Sequence, residues 1–68
     1  MSLNNSRGSV MKSVTIINVA SQDLEIVLKS GRQFEHICLG SGQSIAVPEK
    51  SLTDLCLELK RRQLLNII

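Results

Sequence analysis

Aromatic residues are all but missing from this chain of 68 residues: Phe34 is the only one, and there is no Trp or Tyr. Aromatic side chains normally carry much of a small core, so the apolar volume here must come from Leu, Ile and Val. At this length a chain buries only about 60% of the surface its unfolded form exposes, which leaves one small domain marginal by itself. Disulfides, a metal or oligomerisation usually supply the missing stability. Two cysteines, Cys38 and Cys56, allow one disulfide at most. They fall on different expected elements and read instead as two buried thiols, free Cys being among the most buried residue types. That reading favours a reducing compartment or no redox role. Association with a partner subunit is the simplest way left to complete the core.

Long apolar runs are missing too. No stretch approaches the roughly 18 apolar residues of a membrane span, and the N-terminus lacks the apolar region of a secretory leader. A soluble protein with no membrane partner is expected. Charge of one sign is equally scarce, with eight Lys and Arg against six Asp and Glu and a net charge of +2. The single basic cluster, Lys60-Arg61-Arg62, falls in the last turn of an expected helix, where cations complement the helix dipole. No aromatic residues are interleaved with it to stack on bases, so nucleic acid is not an expected partner.

Catalytic motifs are absent. His36, Cys38 and Cys56 are the one set with zinc-ligand chemistry, but structural zinc takes four ligands, usually with CxxC-like spacing. A Cys38–His36 nucleophile pair would share a strand face, yet catalysis also needs an oxyanion site and a cleft. The carboxylates Asp23, Glu25, Glu35, Glu49, Asp54 and Glu58 are spread over turns and solvent faces. Gly40-Ser41-Gly42 lies between two strands, not before a helix, so it is no phosphate loop. No enzyme activity, metal, cofactor or small-molecule substrate is expected.

What the chain does have is regular punctuation. Short apolar runs at 14–20, 24–29, 33–39 and 44–47 are separated by Ser21-Gln22-Asp23, Ser30-Gly31 and Gly40-Ser41-Gly42. Runs this short pair antiparallel, not through crossovers. The first strand, 12–20, is apolar on both faces, with Val14 and Ile16 on one and Ile17 and Val19 on the other. Residues 14–19 carry no charge and no Pro, so a neighbouring chain is expected to cover them. In the second, Leu24, Ile26 and Leu28 share a face. The third sets Phe34, His36 and Cys38 against Glu35, Ile37 and Leu39. Pro48 ends the fourth. Ser51 reads as a helix N-cap with Asp54 in the first turn. Leu52, Leu55, Cys56 and Leu59 then form an apolar stripe toward the sheet, with Leu57 off it. Residues 64–68 read as a closing strand. The polar segment ahead of the first strand reads as an arm, and Met11 as an alternative start. The chain thus divides into an N-terminal arm, 1–11, and one domain, 12–68.

Several of these features also carry a resemblance. Asn18 near the end of the first strand, a Leu-rich second strand ending at Ser30-Gly31, and the segment Leu39-Gly40-Ser41-Gly42-Gln43-Ser44-Ile45-Ala46-Val47-Pro48 come first. The helix 51–63 and final strand 64–68 follow. In this layout the chain resembles small all-β accessory proteins of tailed bacteriophage virions. Where those proteins often carry Pro-Gly in the turn, this chain has Ser41-Gly42. The resemblance implies a structural subunit of a capsid, neck or tail, located in the virion after assembly in the host cytoplasm, with no catalytic residues to carry over.

The expected architecture is mainly β: a small antiparallel meander or partly open barrel of about five strands, with one helix before the last strand. The expected role is assembly, as a homo-oligomer bound to larger structural proteins through strand edges and the arm. The expected contact residues are Val14, Ile16, Ile17, Val19, Leu57, Ile67 and Ile68. The alternatives are a small SH3-like or Sm-like barrel binding nucleic acid, which would need a basic strand face, and a small regulatory protein-binding module.

Overall fold

The computed structural model describes residues 12–68, so the arm expected at 1–11 lies outside the described residues. Five strands and one helix follow in order: β1 (Ser13–Asn18), β2 (Leu24–Ser30), β3 (Gln33–Leu39), β4 (Ser44–Pro48), α1 (Asp54–Arg61) and β5 (Leu65–Ile67). A single 3₁₀ turn, Glu49–Ser51, links β4 to the helix. The fold is mainly β, every strand pair is antiparallel, and the helix precedes the last strand, as the punctuation implies. The strands divide into two sheets, β4-β1-β5 and β2-β3, and do not close into a barrel.

β2 and β3 form a hairpin whose register runs from Leu24 opposite Leu39 to Ser30 opposite Gln33. The loop is therefore Gly31-Arg32, one residue later than the Ser30-Gly31 pair suggests. Gly31 has φ +62 while Arg32 keeps a negative φ, the pattern of a type II′ turn, whose twist suits the flanking strands. Opposite residues share a face, so Leu24, Ile26 and Leu28 lie with Leu39 and Ile37 against the core. Phe34, His36 and Cys38 lie on the outer face with Glu25, Val27 and Lys29.

β1 is the centre of the other sheet. Its two edges alternate in use: Asn18 bonds the 42–43 turn, while Thr15 exchanges backbone bonds with Ile68 and Val19 donates to Leu64. The core draws on every element: Ile16, Leu24, Ile26, Leu28, Leu39, Val47, Cys56 and Leu65 are buried together. Asn18 is the one buried polar residue among them, fully enclosed.

Four expectations need correction. The edges of β1 are not open to a neighbouring chain, because β4 and β5 pair with both of them. Ser51 does not cap the helix. It belongs to the 3₁₀ turn, and Thr53 occupies the N-cap position, with its hydroxyl donating to Val27 O at 2.7 Å instead of accepting from the helix. The inward helix face is carried by Cys56, with Leu59 half-buried, while Leu55 is exposed. Cys38 is an exposed thiol, because the pairing with β2 turns its parity outward.

Candidate functional site

Which strand edges remain open follows from the ladder. In a two-residue hairpin the residues flanking the loop, Ser30 and Gln33, form a hydrogen-bonded pair, and bonded pairs then alternate along the strands. The bonded residues of β3 are Gln33, Glu35, Ile37 and Leu39. Phe34, His36 and Cys38 turn their N–H and C=O groups away from β2. The same alternation sends the carbonyl of Val27 away from β3, and Val27 O indeed accepts from Thr53 Oγ1 at 2.7 Å and from Cys56 Sγ at 3.2 Å. Together with the Leu28–Leu52 bridge, these contacts cover the second edge of β2.

The corresponding edge of β3 has no cover among the described residues: no backbone or side-chain hydrogen bond reaches Phe34, His36 or Cys38 from outside the hairpin. Two other edges have no strand paired to them among the described residues, and both are blunted. β4 ends in Pro48, which has no N–H to offer, and β5 is only three residues long. β3 is seven residues long with neither Pro nor Lys. It is the edge best suited to accept another strand.

The side chains on that edge fit the same use. Phe34 is 61% exposed, although the sole aromatic residue of a small chain would ordinarily be inside. His36 Nδ1 lies 3.4 Å from Glu25 Oε2 across the hairpin, with both side chains largely in solvent. A pair so exposed contributes little to stability. Cys38, directly opposite Glu25, is solvent-accessible.

The residues expected at an interface are scattered. Ile16 lies wholly inside its own chain, and Val14, Ile17 and Ile67 are half-buried along the β4-β1-β5 sheet. Val19, Leu57 and Ile68 are exposed, Ile68 at 71%. No single patch joins all seven. Sequence reading missed the Phe34-His36-Cys38 edge because it assigned the exposed strand surface to β1. The candidate zinc set is also dispersed, with His36 and Cys38 on the outer face of the hairpin and Cys56 in the core, bonded to Val27 O. Among the described residues no three His, Cys, Asp or Glu side chains gather as a metal site. No helix there is long and apolar enough to cross a membrane.

One cleft of about 500 Å³ opens at the hairpin tip, between Lys29, Ser30 and Gly31 on one side and Pro48, Lys50 and Ser51 on the other. Its lining holds two cations and two hydroxyls. No protein family, curated protein or solved structure matches this chain.

Proposed function

We propose that the chain is a structural subunit that joins a larger assembly by strand addition at β3. The observation that carries this reading is a run of backbone donors and acceptors at Phe34, His36 and Cys38, without cover among the described residues, on an edge without Pro, Lys or a bulge. Strand addition supplies affinity through main-chain hydrogen bonds and needs no pocket. It also suits a chain too small to complete a generous core by itself. The resemblance to accessory proteins of phage virions makes a capsid, neck or tail the first assembly to test.

The test is sedimentation of the native lysate through a sucrose gradient, with the chain followed by mass spectrometry. The expected result is a fast-sedimenting fraction in which the chain is stoichiometric with an identified structural protein. His36→Pro removes an outward N–H that bonds nothing among the described residues, so it should leave the fold intact and move the chain to the top of the gradient. Finding the wild-type chain only at the top overturns the proposal.

A further inference from the structure

We infer that the strand received at this edge is β3 of a second copy, running antiparallel and centred on His36. The inference rests on the strand-addition reading above and names the partner. The outward residues of β3 are Phe34, His36 and Cys38, spaced evenly about His36. A two-fold axis through His36 places Phe34 opposite Cys38 of the second copy, His36 opposite His36, and Cys38 opposite Phe34. All three outward residues of each copy then exchange both backbone hydrogen bonds, and nothing on the edge is left over.

Neighbouring registers do worse. Centring on Glu35 sets the two Glu35 carboxylates directly against each other, a destabilising like-charge pair, and leaves Cys38 beyond the strand-to-strand overlap. Centring on Ile37 carries Phe34 past the strand end, to face Gly40 of the other copy. With the axis at His36, each Glu35 faces an Ile37, and no two carboxylates are opposed. Each Phe34, the exposed aromatic residue, lies against a Cys38 thiol, a favourable sulfur–aromatic contact. The result is a four-stranded sheet, β2-β3-β3-β2, closed by a self-complementary two-fold interface that cannot run on into a filament.

The register makes a sharp crosslinking prediction for the full chain. Positions 34 and 38 of opposite copies form a hydrogen-bonded pair with Cα atoms about 5.5 Å apart, within disulfide range. The two Cys38 residues are separated by four residues along the strands, about 14 Å at roughly 3.4 Å per residue, and cannot bridge. Phe34→Cys, treated with oxidised glutathione, should therefore yield a covalent dimer whose linkage joins position 34 to Cys38, while the wild type under the same treatment should form no disulfide-linked dimer. The substituted side chain is solvent-facing, so the variant should fold. Hydrogen exchange gives a second readout on the wild type: the Phe34, His36 and Cys38 amides should be protected at high protein concentration and lose protection on dilution, in step with dissociation by sedimentation velocity.

A Cys38–Cys38 linkage in the wild type overturns the register. A monomeric mass at all concentrations overturns the second copy. A monomer whose three amides stay protected also overturns it, and shows the edge covered within one chain. These failures are separable from failure of the assembly reading. A monomer that still sediments with particles refutes only the dimer, and a dimer found only at the top of the gradient refutes only the assembly.

Discussion

Asn18 sits where three segments meet, and its amide does the joining. Nδ2 donates to the carbonyls of Gln22, at 2.9 Å, and Leu39, at 2.8 Å, and Oδ1 accepts from the Ala20 N–H at 2.8 Å. One fully enclosed side chain thus ties the end of β1 to the turn after it and to the end of β3 in the other sheet. A short buried polar side chain with every group bonded specifies a geometry, but losing it removes one buried bond, to Leu39 O, and two part-buried ones, to Gln22 O and from Ala20 N–H. Asn18→Ala should cost roughly 3 kcal/mol, a large share of the stability available to so small a domain at roughly 0.05–0.15 kcal/mol per residue. Urea titration would measure it, and a loss below about 1 kcal/mol would mean that water replaces the amide. The sequence marks Asn18 as unusual in an apolar strand, yet its partners lie up to 21 residues away, and no local pattern names them.

The cysteines differ in the same way. Cys56 is wholly buried and donates to Val27 O, whereas Cys38 faces solvent. A thiol-reactive dye should label Cys38 in the native chain and reach Cys56 only on unfolding. Cys56→Ala should cost roughly 1–2 kcal/mol, and Cys38→Ala should change the melting behaviour of the monomer by less than about 0.5 kcal/mol. Equal labelling of both thiols in the native state would refute the packing described here. The inverted expectation for Cys38 has a clear origin. β3 is apolar at both parities, Phe34 and Cys38 on one and Ile37 and Leu39 on the other, so the strand alone is ambiguous. The deciding signal lay in its neighbour: β2 has a clean apolar parity, and a two-residue loop after Ser30 transfers it to Ile37 and Leu39.

Elements with strong local chemistry were legible. β2 follows its alternation, the β2–β3 hairpin follows its glycine turn, and β4 stops at Pro48 as a strand must. The helix was read about three residues too early, because Ser51 and Asp54 imitate a capping box while Thr53 is recruited by Val27 on a distant strand. Thr53→Val, which removes only the hydroxyl, should cost about 1 kcal/mol, whereas Ser51→Ala should stay within about 0.5 kcal/mol. Comparable losses for the two would restore Ser51 as the cap. At the other end the helix closes with a Schellman motif: Gln63 N–H donates to Lys60 O and Leu64 N–H to Leu59 O. Gln63 takes φ +63 there, the one non-glycine residue with positive φ among those described. Gln63→Gly should therefore raise stability by about 1 kcal/mol in a thermal melt.

At the scale of the whole molecule the two-sided apolarity of β1 has two physical readings, a strand awaiting a neighbour or a strand at the centre of a sheet. Composition cannot separate them, because pairing partners are set by chain topology and not by β1 itself. β4 and β5 take both edges of β1, and the longest edge without cover among the described residues is that of β3, where Phe34 is exposed. If two copies share that edge, folding and association are linked, and stability depends on concentration by mass action. A hundredfold rise in protein concentration stabilises a dimer by about 2.7 kcal/mol, or half that per chain. For a domain of this size that corresponds to a rise in melting temperature of up to about 5–10 °C. Calorimetry of the wild-type chain across that range should show the rise, and His36→Pro should melt at one temperature throughout. A wild-type transition independent of concentration would leave the monomer as the folding unit, with β3 open to a different strand.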